Sequence, residues 1–252
     1  MDINWQQRTK LLIGTDNVNK LQSANVLVCG LGGVGAVTAE MLCRAGVGKM
    51  TLIDNDIIHD TNLNRQIIAL NSTIGKRKTQ LMKDRLLDIN PQLEITCKDL
   101  FLVDEKIQDI LQQSFDYVVD AIDTLTPKIF LIYHTLQKGF PLVSSMGAGG
   151  KTDPSRVFIA DISQTYNCNL ARLLRKRLKN MGVKTGFETV FSSELVHGDS
   201  ILYLDNEPNK KTTVGTISYM PTIFGSVAAS AVIRNLLQIP VYLTPGPYKK
   251  NR

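Results

Sequence analysis

The chain has 252 residues, of which 43% are hydrophobic and 21% are charged, and its formal net charge is +6. This composition is ordinary for a globular protein with one large core or two modest ones, and it argues against a disordered or membrane-embedded chain. The mildly basic balance allows a polyanion such as a nucleic acid as a partner but does not require one.

The N-terminal segment is the first predicted element. It carries Trp5 and an apolar run at 11–13 that stops at Gly14, which predicts a short amphipathic helix. Arg8 is the one charge in this segment that we single out, although a lone arginine usually lies on a solvated helix face.

A glycine-rich turn follows the first predicted strand. Asn25–Cys29 is Val-rich and typical of a buried parallel strand, and residues 50–53 form a second strand that ends at Asp54. Between them lie a helix and the turn, whose glycines are Gly30, Gly32, Gly33 and Gly35. Such glycines permit a tight turn, close backbone approach to a phosphate and close helix packing. The unit predicts a nucleotide site with Asp54 on the ribose; a purely structural turn is the alternative.

A polar loop comes next, at residues 55–66. It lies beyond the carboxyl end of a predicted strand, where open α/β sheets bind their ligands. We therefore expect four of its side chains to face the nucleotide: Asn62, Asn64, Arg65 and Gln66.

The following helix begins with basic residues. Residues 75–78 include Lys78, and the helix continues to the Asn-Pro stop at 90–91. Lysines at a helix start oppose the helix dipole, and a bound polyphosphate would explain them. A solvated basic turn is the alternative.

The remaining elements alternate along the chain. Strands are predicted at 93–97, 117–122, 141–145 and 156–161, and helices at 104–111, 125–138 and 170–181. This order predicts an α/β fold: a Rossmann-like, doubly wound, mainly parallel sheet with a C-terminal extension of mixed strands and helices. Asp123 follows the strand at 117–122 and is expected at the same functional edge.

The helix at 170–181 is strongly basic. Its leucines form an inward stripe, and its cations cover the other side: Arg172, Arg175, Lys176, Arg177 and Lys179. A charged face is usually only solvated, and contact with a polyanion is the alternative. Residues 203–214 predict a mobile loop near the site. The last helix, at 217–237, has an apolar stretch shorter than the ~20 residues of a bilayer span, so membrane contact is not expected.

We expect one domain over residues 1–252, with a nucleotide-binding core at 1–150 and a substrate-side and dimer-side extension at 151–252. The four cysteines contain no C-x-x-C pair, so no zinc site is expected. The polar N-terminus does not have the pattern of a signal peptide, and free cysteines suit a reducing compartment. Both observations predict a cytoplasmic protein.

Taken together, the motifs resemble those of the E1-like adenylating superfamily. They are the glycine turn with Asp54, then Asn62-Leu63-Asn64-Arg65-Gln66, Gly75-x-x-Lys78 and Asp120-Ala121-Ile122-Asp123. Within that superfamily the chain is most similar to the tRNA threonylcarbamoyladenosine dehydratase branch. The features that carry this second resemblance extend over nearly the whole chain. They are Gln7-Arg8 before Leu12-Ile13-Gly14, Asn64-Arg65-Gln66-Ile67, Asp120-Ala121-Ile122-Asp123, Gly147-Ala148-Gly149-Gly150, Asp153-Pro154 and the leucine-rich stretch at 173–178.

The resemblance implies ATP with Mg²⁺, and attack of a substrate carboxylate on the α-phosphate to give an acyl-adenylate and pyrophosphate. It implies that Arg65 and Lys78 neutralise phosphate charge and that Asp123 holds Mg²⁺. It also implies a homodimer in which Arg8 reaches the ATP of the partner subunit. In the dehydratase branch, the carboxylate belongs to threonylcarbamoyladenosine in tRNA. The modification's own nitrogen or oxygen closes a ring, and AMP leaves.

The basic helix then becomes a candidate tRNA surface, through Arg172, Arg175, Lys176 and Lys179. Relatives that activate sulfur carriers usually hold zinc on two C-x-x-C pairs, which this chain lacks. Some dehydratases carry a cysteine before the last helix, where this chain has none, so a sulfur-transfer partner such as a cysteine desulfurase stays open. Two alternatives remain: an activator of a ubiquitin-like sulfur carrier, and an NAD-binding oxidoreductase or nucleotide-sensing module.

Overall fold

The computed structural model describes residues 4–203 and 212–240. The helices are α1 (Gln7–Ile13), α2 (Thr15–Ser23), α3 (Gly35–Ala45), α4 (Lys78–Ile89), α5 (Asp104–Ile110), α6 (Leu125–Gln137), α7 (Asn169–Asn180) and α8 (Tyr219–Leu236). The strands are β1 (Asn25–Cys29), β2 (Lys49–Ile53), β3 (Glu94–Lys98), β4 (Tyr117–Asp120), β5 (Leu142–Ser145), β6 (Val157–Asp161), β7 (Glu188–Ser192), β8 (Ile201–Tyr203) and β9 (Thr212–Val214).

Seven strands form one sheet in the order β3-β2-β1-β4-β5-β7-β6. All neighbours are parallel except β6, which runs antiparallel to β7 at the edge. Because β2 and β3 extend to one side of β1 while β4 and β5 extend to the other, the topological switch point lies between β1 and β4. Ligands of open α/β sheets bind beyond the carboxyl ends of the strands at such a point.

Helices cover both faces of the sheet. One core cluster joins β1 and β2 to residues of α3, α4 and α8, and the other joins the opposite face to residues of α5, α6 and α7. Strands β1 and β4 are buried along almost their whole length, as parallel strands covered on both faces must be. The predicted doubly wound, mainly parallel fold is confirmed.

The predicted N-terminal helix ends at Gly14 as expected, where the backbone has a positive φ of 84°. A second helix, α2, follows it and was not predicted from the sequence. Strand β7 was not predicted from the sequence; it lies between β5 and β6 and makes β6 an antiparallel edge strand. The segment predicted as a mobile loop at 203–214 begins and ends in the hairpin strands β8 and β9, and residues 204–211 lie outside the described residues.

Within the described ranges, no helix combines the length and apolar character that crossing a membrane requires.

Candidate active site

The glycine turn lies at the switch point, directly after β1. The Gly30 N–H donates to the Ile53 carbonyl at 2.8 Å, and Gly30 has a positive φ of 88°. A Cβ at Gly30 would lie 2.8 Å from the Ala121 carbonyl oxygen, so only glycine lets the turns after β1 and β4 meet. The ends of β1, β2 and β4 thereby form one edge.

The other glycines differ in what a side chain would meet. At Gly35 a Cβ would lie 1.8 Å from the Gly30 carbonyl oxygen, and at Gly33 it would lie 2.8 Å from Pro221 of α8. At Gly32 the nearest atom is the Gln66 Nε2, 3.8 Å away. Gly33 and Gly35 are therefore required for packing, whereas Gly32 borders open space that a ligand can enter.

Helix α8 closes the back of the turn. A Cβ at Gly225 would lie 2.6 Å from the Val34 carbonyl oxygen and 2.8 Å from the Val37 Cβ. The Thr38 hydroxyl of α3 also donates to the Gly225 carbonyl at 3.1 Å. The start of α3, whose dipole favours an anion, is thus held by a helix from the end of the chain.

Two carboxylates after β2 organise the next part of the edge. Asp54 accepts hydrogen bonds from the Leu31 N–H at 2.6 Å and from the Asp56 N–H at 2.8 Å, so it ties β2 to the glycine turn. The Asp56 carboxylate lies 2.5 Å from the Lys78 Nζ. Burial alone would raise the pKa of Asp56, but the hydrogen bond and the charge of Lys78 outweigh it and hold the pKa below its ordinary value.

Lys78 is almost fully buried, with 4% of its surface exposed. Its position at the first residue of α4 is explained by Asp56, which accepts from both its side chain and, through the main-chain carbonyl, its backbone N–H. A lysine this deeply buried beside the edge is not the solvated basic turn that the sequence left open as an alternative. In this structure its charge is paired with the Asp56 carboxylate.

The loop after Asp56 brings its polar residues to the turn in different ways. The Arg65 guanidinium donates to the Thr61 carbonyl at 2.8 Å and to the Asn64 side chain at 2.9 Å. The buried Asn62 accepts from the His59 N–H at 3.1 Å, so its side-chain oxygen holds the loop itself. Gln66 is 7% exposed, and its Oε1 has no hydrogen-bond partner among the described residues.

A buried ion pair lies at the end of β4 and was not predicted from the sequence. Asp120 and Lys128 are both fully buried, and their charged atoms lie 2.8 Å apart. Asp123 follows three residues later and is exposed at the edge. The available signal was the one lysine of α6, which lies in its first turn, and sequence periodicity alone does not distinguish it from a surface residue.

The structure does not bring Arg8 to this edge. Gln6, two residues earlier, contacts Gly46 and accepts from the Gln22 side chain at 3.1 Å, and Gly46 precedes β2. Helix α1 therefore begins near the amino ends of the strands, whereas the glycine turn lies at their carboxyl ends.

The predicted tRNA-binding residues lie on α7, separate from the glycine turn. Arg172, Lys176 and Lys179 are exposed, but Arg175 is half-buried and donates to the Thr165 carbonyl at 2.9 Å and to the Thr165 hydroxyl. Within its own chain, Arg175 anchors the start of α7. This contact separates it from the three exposed cations.

Comparison with known proteins decides the family. The ThiF family model matches residues 6–251. The chain belongs to the ThiF family. The resemblance carried by the sequence motifs is thereby confirmed over almost the full length.

Among ThiF relatives, the chain is 38% identical to tRNA threonylcarbamoyladenosine dehydratase of Bacillus subtilis, over 92% of this chain and 94% of that protein. It superposes with a TM-score of 0.85 on the E. coli tRNA N6-threonylcarbamoyladenosine dehydratase in complex with ATP. That match has 34% identity and covers 94% of this chain and 96% of the other. The sulfur carrier protein ThiS adenylyltransferase of E. coli is 33% identical over only 55% of this chain and 56% of its own length.

Proposed function

We propose that this protein is an ATP-dependent tRNA threonylcarbamoyladenosine dehydratase. One observation carries the proposal: the similarity to dehydratases spans more than nine-tenths of both chains, whereas the match to the carrier-activating relative covers only 55% of this chain. The second half, which includes α7 and α8, is therefore shared with enzymes that act on tRNA. In the reaction, ATP and the modified tRNA give the cyclised nucleoside, AMP and pyrophosphate.

The residues at the edge suit a nucleoside triphosphate. Gly32 leaves space for phosphate oxygens beside backbone N–H groups at the start of α3, and the buried Lys78 and nearby Arg65 supply positive charge. The Gln66 amide is buried with an unpartnered oxygen, so it has hydrogen-bonding capacity left for a ligand. We assign Asp54 to the ribose, because it directly follows β2 and its carboxylate contacts the glycine turn at Leu31.

Asp123 fits a magnesium ion that arrives with the nucleotide. Mg²⁺ commonly binds through one or two carboxylates plus substrate phosphates, and it retains several waters. Among the described residues no group of three or more His, Cys, Asp or Glu side chains could hold a metal. A single exposed carboxylate beside the phosphate space is consistent with that mode. When bound, Mg²⁺ would neutralise charge on the departing pyrophosphate.

The overall assignment is tested on tRNA. Purified protein is incubated with ATP, Mg²⁺ and tRNA that carries threonylcarbamoyladenosine, and the nucleosides are analysed by mass spectrometry. We expect the modified nucleoside to lose the mass of one water, with pyrophosphate release that depends on that tRNA. Pyrophosphate release that instead requires a small protein ending in Gly-Gly would favour the carrier-activating alternative. Tight NAD binding without pyrophosphate release would favour the oxidoreductase.

Replacing Lys78 should separate ATP binding from chemistry. Lys78→Met keeps the buried apolar stem but removes a charge that stabilises the developing pyrophosphate, so we expect adenylation at saturating ATP to fall by roughly two to three orders of magnitude. Single-turnover pyrophosphate release measures this step. The matched control is Lys76→Met, an exposed lysine two residues earlier. Full turnover at saturating ATP, with only a weaker affinity for ATP, would contradict the proposed role.

We also propose that the enzyme is a homodimer in which Arg8 acts on the partner's ATP. Helix α1 buries none of its residues within its own chain, and its Leu11 and Leu12 are 81% and 85% exposed. Two adjacent, nearly fully exposed leucines are suited to an interface. Arg8 lies one helical turn before them, near the amino ends of the strands and away from the glycine turn. We therefore place the ATP that Arg8 contacts in a second copy of the chain.

The exposed cations of α7 are proposed to bind tRNA phosphates. We expect the double variant Lys176→Glu/Lys179→Glu to weaken tRNA binding and to lower the slope of log affinity against log salt by about one per lost phosphate contact. Binding is measured by filter retention over a salt series. ATP affinity should not change, because α7 lies apart from the glycine turn.

The matched control for that double variant is Lys20→Glu/Lys106→Glu, which makes the same change in net charge on α2 and α5. Equal losses in the two double variants would mean that only net charge matters. Arg175→Glu should instead destabilise the fold, because it removes the anchor to Thr165.

Two further statements stay predictions: that the protein binds no zinc and that it is cytoplasmic. Whether a sulfur-transfer partner acts with it stays open.

A further inference from the structure

The ion pair between Asp120 and Lys128 is isolated from water. Neither residue has exposed surface, and the Lys128 Nζ lies 2.8 Å from the Asp120 Oδ2. The same carboxylate oxygen accepts a hydrogen bond from the Ser144 hydroxyl of β5 at 2.6 Å. The pair therefore joins the end of β4, the first turn of α6 and the neighbouring strand at one point.

Both partners of the pair also hold the backbone of Ile122. The Ile122 N–H donates to the Asp120 Oδ1 at 3.2 Å, and the Ile122 carbonyl accepts from the Lys128 Nζ at 3.0 Å. Both polar groups of that residue are thus bound by one ion pair. The peptide that links Ile122 to Asp123 includes this carbonyl, so its plane is fixed by a buried charge.

Stability alone gives little reason for such a pair. Removing two charges from water is costly, and replacing a buried ion pair by apolar residues of similar volume is often neutral or stabilising. This pair, however, lies directly beneath the turn of residues 121–123. That turn packs on the glycine turn, since the Ala121 carbonyl borders Gly30.

We propose that Asp120 and Lys128 are positioning residues for Asp123. By holding both sides of Ile122, the pair sets the direction in which the Asp123 carboxylate leaves the backbone, and so presents it to the metal–nucleotide complex. The inference rests on the metal-binding role proposed for Asp123. Neither Asp120 nor Lys128 needs to touch the ligand.

The test uses the whole protein and compares ATP binding with and without Mg²⁺ by calorimetry, alongside thermal unfolding. The variant Asp120→Asn/Lys128→Met removes both charges while keeping an acceptor for the Ile122 N–H and an apolar stem for Lys128. We expect it to fold and to bind ATP without Mg²⁺ as the wild type does. The additional affinity that Mg²⁺ confers should fall by roughly 10- to 100-fold, the usual effect of losing a group that orients a metal ligand.

A double-mutant cycle with Asp123→Asn distinguishes positioning from general damage. If the pair acts through Asp123, adding Asp123→Asn to Asp120→Asn/Lys128→Met should cause little further loss, because the interaction is already gone. The structural control is Arg85→Met, which breaks a contact of 2.6 Å to the buried Glu40 away from this turn. It should affect unfolding but not the magnesium dependence.

Two results would overturn this inference while leaving the proposed role of Asp123 intact. They are an unchanged magnesium dependence in the folded double variant and full additivity with Asp123→Asn. If Asp123→Asn alone leaves the magnesium dependence unchanged, the role proposed for Asp123 fails first, and the pair has no ligand to position. Should the double variant not fold, Lys128→Met decides the question, with Ser144→Ala as its control. Because Ser144→Ala removes only the hydroxyl donor to Asp120 and leaves both contacts to Ile122 in place, it should keep the wild-type magnesium dependence, whereas Lys128→Met alone removes the donor to the Ile122 carbonyl. A wild-type magnesium dependence in folded Lys128→Met protein would also refute the proposal.

Discussion

Gly32→Val is expected to abolish ATP binding in a chain that still folds. A Cβ at this position meets no atom closer than the Gln66 Nε2 at 3.8 Å, so the branched side chain can point into open space. That space is where the phosphates must approach the backbone N–H groups, and the valine methyls would occupy it. Calorimetry with ATP should show no binding, while the thermal unfolding temperature should stay near that of the wild type.

Gly35→Ala provides the opposite control for this experiment. Its Cβ would lie 1.8 Å from the Gly30 carbonyl oxygen, so the turn itself must move, and we expect the protein to be destabilised even without ligand. The two glycines are three residues apart in one turn, yet one should report on binding and the other on folding. ATP affinity unchanged in folded Gly32→Val protein would refute the proposed phosphate position.

Mixing two inactive variants should restore activity if Arg8 acts across a dimer interface. Arg8→Ala removes a planar guanidinium that suits phosphate oxygens and that a lysine does not reproduce. Asp123→Ala disables the site within the other chain. In a mixed dimer, one site carries both lesions and the other carries neither, so up to about half of the wild-type activity per heterodimer is expected for independent sites.

The mixing experiment needs verified heterodimers, obtained by co-expression with two different affinity tags and sequential purification. Each homodimeric variant should be inactive on its own, and Arg8→Ala should leave dimer formation intact. As a control for the exposed helix, Lys10→Ala lies on the same α1 and should keep activity. No recovery would mean that Arg8 acts within its own chain or that the two sites are strongly coupled.

Local patterns were enough to predict most of the edge. The glycine turn, Asp54 and Lys78 lie next to predicted strand ends or helix starts, and the parallel sheet brings those ends together. The features that were missed depend on contacts between distant segments. Strand β7 follows a glycine-containing loop and joins the sheet between β5 and β6, an order that no local pattern specifies.

The Asp120–Lys128 pair was missed for a related reason. Burial of both charges depends on how α6 packs against β4, and a lysine in the sequence reads the same whether it is buried or exposed. Arg175 shows the converse, because it reads as part of a uniform basic face but is held by Thr165 in the folded chain. Long-range packing, rather than residue type, decides which charges are available to a ligand.

The contact between α8 and the glycine turn has a consequence for biosynthesis. Pro221 and Gly225 complete the wall behind Gly33 and Val34, although nearly two hundred residues separate the two segments along the chain. At a translation rate of about 5–20 residues per second, the ribosome needs roughly 10 to 40 seconds between making the turn and making that helix. During this interval the nascent chain has its nucleotide motif without the surface that shapes it. Ribosome-bound fragments that end before α8 should therefore fail to bind ATP, and competence should appear only once the last helix has emerged.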